Sequence, residues 1–149
     1  MTLKAAPLLC LLLAIPGGPV VAQDQQPLTG DDTIEMQKHF AEAYNRGDVD
    51  AMAAAFTGNA VRVTPSGIFQ GRDAIRGSFQ EAMKLGLHDY SVERTLSRSE
   101  AGFVFNAGKW KAKVGDQTYH GYYTSIIVRQ RGEPKIREET VTIAAPRSK

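Results

Sequence analysis

The sequence has almost no cysteine: Cys10 is the only one among 149 residues. It lies inside an apolar run near the N-terminus, residues 8–15, so a chain from which that run is removed has no thiol. Disulfide staples, cysteine metal ligation and thiol catalysis are then excluded. A domain of this length can be stabilised by its apolar core alone.

An excess of charge of one sign is also missing, with 18 Lys and Arg against 16 Asp and Glu. A nucleic-acid surface needs basic residues concentrated on one element. The one basic cluster, Lys109, Lys111 and Lys113, alternates along a strand pattern, which is typical of a solvated face or a protected sheet edge. We therefore expect no nucleic-acid partner.

Recognisable catalytic motifs are missing too. The sequence contains no Gly-x-Ser-x-Gly elbow, phosphate loop or dinucleotide fingerprint. Its histidines, His39, His88 and His120, lack the i, i+4 or His-x-His spacing of metal ligands. The sequence therefore predicts no metal site and no cofactor.

The N-terminus has the layout of a secretory signal peptide. Lys4 supplies a positive start, Pro16 breaks the apolar core, and Val20 and Ala22 occupy the positions that are read before cleavage. The alternative, a retained membrane anchor, is disfavoured because a spanning helix needs about 20 apolar residues. We expect residues 1–22 to be removed and the protein to be exported, periplasmic or secreted, without a membrane attachment.

Residues 23–31 lack an apolar period and are predicted to be a flexible lead-in. The domain is expected over residues 32–145. Asp32 is predicted to cap the first helix, with Glu35 completing a capping box. Apolar spacing predicts three helices, near residues 33–46, 49–56 and 72–85, and places Ser78 on the apolar face of the third.

The remaining patterns predict strands near residues 60–64, 90–98, 103–114, 119–129 and 136–143, with residues 67–71 as a turn. Gly115-Asp116 is predicted to be a hairpin turn. Gly102, Gly108 and Gly121 fall within strand patterns, where glycine permits the bulges that let long strands curve. Helices followed by an antiparallel meander predict an α+β fold in which a curved sheet covers the helices and leaves a cavity.

Several segments, in this order, resemble SnoaL-like and ketosteroid-isomerase-like domains of the nuclear-transport-factor-2-like superfamily. They are FAEAYNRGDVDAM (residues 40–52), NAVRVTPSG (59–67), GRDAI (71–75) and GYY (121–123). The resemblance covers nearly the whole chain beyond the signal peptide. It implies a cone-shaped, curved antiparallel sheet wrapped over about three N-terminal helices, a hydrophobic pocket, and a homodimer formed through the sheet.

The departures from this family bear on function. The isomerases of the family carry an aspartate base immediately before the proline of the strand-ending turn, and this sequence has Thr64 there. The tyrosine of their oxyanion site falls on Phe40, and strand residues 122–128 supply no acid for the remaining role. Because carbonyl-linked proton transfer needs a base and an oxyanion donor, we expect no steroid isomerisation.

Pocket candidates come from side-chain type and strand alternation. Trp110 stands between Lys109 and Lys111, so it is expected on the inner face, and Arg62 could anchor an anionic group. Glu138 and Glu139 are adjacent and must point to opposite faces, so either could look inward. The predicted pocket residues are Arg62, Thr64, Trp110, Tyr122 and Glu138.

The sequence thus favours an exported protein that binds a small apolar or aromatic ligand, or serves as an accessory domain, without catalysis. One alternative is a SnoaL-like enzyme of the isomerase, cyclase or hydrolase type that uses a different polar set. The other is a dimeric assembly module.

Overall fold

The computed structural model describes residues 27–144, so the predicted signal peptide lies outside the described residues. Within that range no helix is both long enough and apolar enough to cross a membrane. The elements are α1 (Asp32–Arg46), α2 (Val49–Ala54), β1 (Phe56–Thr64), β2 (Gly67–Gln70), α3 (Arg72–Lys84), β3 (Leu87–Glu100), β4 (Phe103–Val114), β5 (Gln117–Gln130) and β6 (Glu133–Val141).

The six strands form one unclosed, curved sheet in the order β2-β1-β6-β5-β4-β3. Neighbouring strands are antiparallel except β1 and β6, which are parallel. The predicted α+β class and the curved sheet over three helices are confirmed. The parallel pair was not predicted, because β1 and β6 are far apart in the sequence and local patterns do not report such pairing.

The start of α1 differs from the prediction. Asp32 does not cap the helix through Glu35; it is the first helical residue. The N–H and hydroxyl of Thr29 donate to Asp32 Oδ2 at 2.8 and 2.9 Å, and the Asp32 N–H donates to Thr29 Oγ1 at 3.4 Å. A reciprocal capping arrangement therefore exists, but it begins three residues earlier. The helix ends at Gly47, with φ 68°, as predicted.

The segment expected to be a turn at residues 67–71 contains the short strand β2. It pairs with β1 in a hairpin whose register joins Thr64 to Gly67, so Pro65-Ser66 is the two-residue turn. Four residues are too few for a period-two pattern to stand out from a loop, and pairing with β1 decides the outcome.

The core lies between the helices and the inner face of the sheet. Phe56, Phe79 and Ile127 are completely buried, and Leu28, 5% exposed, packs in the same cluster. Burial of each such side chain stabilises the fold by about 1.5–3 kcal/mol relative to exposure. Leu28 belongs to the predicted flexible lead-in, so the core includes a residue N-terminal to the predicted domain start.

Bulges and glycines shape the sheet. The β3–β4 register shifts twice, and the β5–β6 register shifts once. At Gly108 and Gly121 a Cβ atom would overlap the carbonyl oxygens of Glu93 and Thr142, so close backbone approach requires glycine at both positions. Gly102 does not lie within a strand as predicted; it occupies the β3–β4 turn with φ 89°.

Candidate functional site

A cavity of about 300 Å³ lies between the helices and the inner face of the sheet. Its walls are largely apolar, with Phe40 and Tyr44 from α1, Ala82 from α3 and Val141 from β6. A larger depression of about 590 Å³ lies on the other side of Trp110, along the outer face of β3, β4 and β5. The smaller cavity is the better ligand site because core side chains form it, whereas lysines and other exposed strand residues line the outer depression.

An ion pair occupies the polar part of this cavity. Arg62 on β1 and Glu139 on β6 are register partners, and Arg62 Nε donates to Glu139 Oε2 at 2.7 Å. The two side chains are only 13% and 8% exposed. Their mutual attraction offsets the cost of burying each charge.

Two further contacts hold the guanidinium of Arg62. Its Nη1 donates to Ser78 Oγ at 3.1 Å, and that hydroxyl donates in turn to the carbonyl of Ile75 at 2.7 Å. The guanidinium carbon lies 4.4 Å from the ring centroid of Phe79, within cation–π range. Strand β1, strand β6 and helix α3 together therefore fix the position of the cation.

Three tyrosines surround the ion pair. Tyr44 and Tyr90 stack with their ring centroids 4.3 Å apart, and the hydroxyl of Tyr123 accepts a hydrogen bond from Gln37 at 2.8 Å. Burial raises the pKa of Tyr44 and Tyr123 and raises the pKa of Tyr90 well above its ordinary value. All three therefore present neutral phenols to the cavity at neutral pH.

Trp110 forms a wall of the cavity, on the inner face of the sheet as predicted. Its Nε1 donates to the carbonyl of Thr142 at 2.9 Å. The residue opposite it on β5 is Gly121, whose missing side chain leaves room for the indole. The indole is therefore held by backbone just beyond the end of β6.

The structure brings together three of the five predicted pocket residues. Arg62, Thr64 and Trp110 line the cavity. Tyr122 does not: it is 57% exposed and lies along the outer depression, and Tyr123 faces inward instead. One residue along a strand reverses the direction of the side chain, so an error of one position moves a side chain to the opposite face.

Glu138 also lies outside the cavity. It is exposed, and its Oε1 lies 3.5 Å from Arg137 Nε. A bulge explains this outcome: Ile127 pairs with Ile136 and Ile126 pairs with Glu138, which leaves Arg137 as an extra residue. Ile136 and Glu139 therefore both face inward although they are three positions apart. Of the two adjacent acids, Glu139, the alternative left open by the sequence, is the one that faces the cavity.

Phe40 and Thr64 stand where the isomerases of the family have their oxyanion-site tyrosine and their aspartate base, and both line this same cavity. Phe40 packs edge-on to Phe79 with the ring centroids 5.8 Å apart. The hydroxyl of Thr64 lies 2.8 Å from that of Ser66 within the β1–β2 turn. Neither position supplies a carboxylate or a phenol. Among residues 27–144, no three His, Cys, Asp or Glu side chains cluster as a metal site requires.

Sequence reasoning did not place Tyr44 or Ser78 in the pocket, selected Tyr122 in place of Tyr123, and did not decide between Glu138 and Glu139. A signal existed for Ser78, which is a polar residue on the otherwise apolar face of α3, where a buried hydroxyl needs a partner. Tyr44 follows Phe40 by one helical turn and so shares its face. For Glu139 no local signal existed, because the bulge at Arg137 depends on pairing with β5.

An α+β cone with a cavity between its helices and a curved sheet defines the nuclear-transport-factor-2-like class. The family model of the SnoaL-like domain matches residues 37–139. This chain belongs to the SnoaL-like domain family, as its resemblance indicated. No curated protein sequence matches it.

Solved structures with the same fold share little sequence with this chain. An NTF-2-like protein of unknown function from Shewanella oneidensis is 19% identical, with a TM-score of 0.69, over 75% of this chain and 97% of that one. A ketosteroid isomerase-like protein from Erwinia carotovora atroseptica is 14% identical, with a TM-score of 0.67, over 76% and 94% of the two chains. At these identities the similarity shows the fold alone.

Proposed function

We propose that this chain binds a small, largely apolar molecule in the cavity and does not convert it chemically. The observation that carries the proposal is a buried Arg62–Glu139 ion pair within a largely apolar cavity of about 300 Å³. Small-molecule sites are commonly apolar clefts of about 300–1,000 Å³ with a few fixed polar groups that orient the ligand.

A cavity-filling substitution tests this proposal. Ala82 lines the cavity on α3, whereas Gln80 is exposed on the same helix. We expect 2-methylnaphthalene, titrated by calorimetry or followed by NMR shifts, to bind the wild type and Gln80→Phe but not Ala82→Phe. Equal binding by all three proteins would place the molecule elsewhere and contradict the proposal.

We further propose that the protein is exported after removal of residues 1–22. This part of the proposal rests on the sequence pattern of the N-terminus. N-terminal sequencing of full-length protein recovered from the periplasm or medium of a bacterial host should begin at Gln23. Recovery only in the cytoplasm with Met1 intact would contradict export.

An enzyme is the second candidate, and Glu139 is the observation that favours it. A carboxylate beside the buried phenols of Tyr44 and Tyr90 offers a base and hydrogen-bond donors in one cavity. Such a set would exchange the methyl protons of 2-acetylnaphthalene in D₂O. We expect no protein-dependent exchange, because Arg62 already occupies one oxygen of the carboxylate; exchange that Glu139→Gln abolishes would establish the enzyme instead. A Δ5-steroid is likewise expected to remain unisomerised.

Assembly into a homodimer is proposed through the outer face of the sheet. Leu96 and Tyr122 expose 38% and 57% of their surface there. Sedimentation should give a dimer that Tyr122→Glu weakens. Ile34→Glu, a matched change at an exposed apolar residue of α1, should leave the dimer intact. A monomeric wild type would refute this assembly.

A further inference from the structure

The charge balance of the cavity limits which ligand can occupy it. Arg62 was expected to anchor an anion, but its charge is already matched by Glu139 at 2.7 Å. Among the described residues, the other carboxylate that lines the cavity is Glu81, which is exposed and paired with Lys84. An anionic head group that reached Arg62 would therefore also be brought against the carboxylate of Glu139, at a cost in both repulsion and desolvation.

The ion pair leaves one donor and one acceptor unused. The bond between its partners joins Arg62 Nε to Glu139 Oε2, and Arg62 Nη1 is used by Ser78. Arg62 Nη2 and Glu139 Oε1 make no hydrogen bond with any described residue, and neither atom is among the fully enclosed unpartnered ones. A group that accepts from the first and donates to the second would satisfy both charged partners.

Two other polar groups that line the cavity are already hydrogen-bonded within the protein. The Trp110 N–H is taken by Thr142, and the hydroxyl of Thr64 is taken by the β1–β2 turn. The phenols of Tyr44 and Tyr90, which also line the cavity, are neutral and can bond charged and uncharged head groups alike. Selection between charged and uncharged head groups therefore depends on the ion pair. The apolar side chains of the walls contribute contact area, which discriminates only weakly between head groups.

We propose that the ligand is uncharged and carries at one end a carbonyl oxygen beside an N–H or O–H donor, as a carboxamide or lactam does. The carbonyl oxygen accepts from Arg62 Nη2, the donor binds Glu139 Oε1, and the apolar body fills the remainder of the cavity. This inference rests on the proposed function, because it names the class of molecule that the same cavity selects.

Three probes with one ring system test the inference by calorimetry at pH 7: naphthalene-2-carboxamide, 2-naphthoate and 2-methylnaphthalene. We expect the wild type to bind the carboxamide at least about tenfold more tightly than either other probe, which is the effect of hydrogen bonds to charged groups. Binding of 2-naphthoate as tight as that of the carboxamide would overturn the inference.

Removing the negative charge should reverse the preference. In Glu139→Gln, Arg62 is left without its counter-ion, so 2-naphthoate should bind more tightly than the carboxamide. Glu138→Gln, the same change at the neighbouring residue outside the cavity, should keep the order of the wild type. An unchanged order in Glu139→Gln would contradict the role of the ion pair.

The variant Arg62→Met/Glu139→Leu keeps the test decisive if Glu139→Gln does not fold. This double variant has no ion pair, and it should bind the carboxamide and 2-methylnaphthalene within about twofold of each other. A persisting tenfold preference would overturn the inference. If the wild type binds 2-methylnaphthalene but the carboxamide no more tightly, only this inference fails. If it binds none of the three probes, the proposed function fails with it.

Discussion

Arg62 and Arg94 both lie on the inner face of the sheet, but their surroundings differ. Arg62 meets a carboxylate beside a cavity. Arg94, on β3, has only neutral hydrogen-bond partners among residues 27–144: its Nη1 donates to the carbonyl of Gly30 at 2.6 Å and to Thr33 Oγ1 at 3.0 Å. Thr33 is completely buried and also accepts from Asn106 Nδ2 at 3.1 Å.

The comparison separates a structural polar cluster from a candidate recognition site. The cluster around Thr33 ties the start of α1 to β3 and β4. Its unpartnered atoms, Asn106 Oδ1 and the hydroxyl of Ser97, which is the register partner of Asn106, are enclosed and out of reach of a ligand. The unbonded atoms of the Arg62–Glu139 pair, Arg62 Nη2 and Glu139 Oε1, belong to residues that line a cavity. Buried polar groups indicate binding when their unused atoms are accessible, and structure when they are not.

Breaking the ion pair should have the largest effect. Glu139→Ala leaves the guanidinium of Arg62 buried without a counter-ion and should lower the free energy of unfolding by about 3–5 kcal/mol. The variant Arg62→Met/Glu139→Leu should lose far less, because no uncompensated charge remains. Urea denaturation measures both; equal losses would mean that packing, not charge, dominates at this site.

The cluster at Thr33 should be less sensitive. Thr33→Val preserves the shape but leaves Asn106 Nδ2 buried and unpaired, so the free energy of unfolding should fall by about 1–3 kcal/mol. Thr124→Val, at an exposed position of β5, serves as the control and should change it by no more than about 0.5 kcal/mol. A loss at Thr33 larger than that of Glu139→Ala would reverse the comparison.

The smallest expected effect is a loss of stability at alkaline pH that comes from the cavity region and not from the cluster at Thr33. The pKa of Tyr90 lies well above its ordinary value of 10.0 because the ring is buried. Above pH 10 the unfolded chain loses this proton while the native protein keeps it, so stability is unaffected near neutrality and falls as pH rises beyond about 10.

Tyr90→Phe should flatten that alkaline decline, and Tyr122→Phe, on the exposed outer face, should not. Denaturant titrations between about pH 8 and 11 follow the effect. If the decline is as steep in Tyr90→Phe as in the wild type, another group causes it, and the tyrosine beside the ion pair is not the one responsible.

Much of the fold follows from local pattern. The spacing of Phe40 and Tyr44 predicts α1, and Gly115-Asp116 marks the β4–β5 hairpin, because helix and strand periods are carried by neighbours in sequence. Strand β2 escaped prediction because four residues show no clear period. The divisions at residues 22 and 31 remain predictions, and the first of them lies outside the described residues, which begin at 27.

The site could be predicted only in part. Trp110 lies on β4, whose register against β5 is unbroken, so its inward direction could be inferred from its alternation with the flanking lysines. Arg62 and Thr64 are two positions apart on β1 and therefore share a face. Tyr122 was selected over Tyr123 without a feature that distinguishes adjacent tyrosines. The tyrosine stack joins α1 to β3, and such contacts between distant segments have no local signature.

By itself the sequence determined the family, the α+β class and the substitution of Thr64 and Phe40 for the isomerase groups, since these reside in residue identity and local order. Only the tertiary structure decided that Glu139 faces the cavity and joins Arg62. The reason is a single extra residue, Arg137, in the β5–β6 ladder: a bulge is settled by hydrogen bonding between strands, and it reverses the facing of the residues that follow.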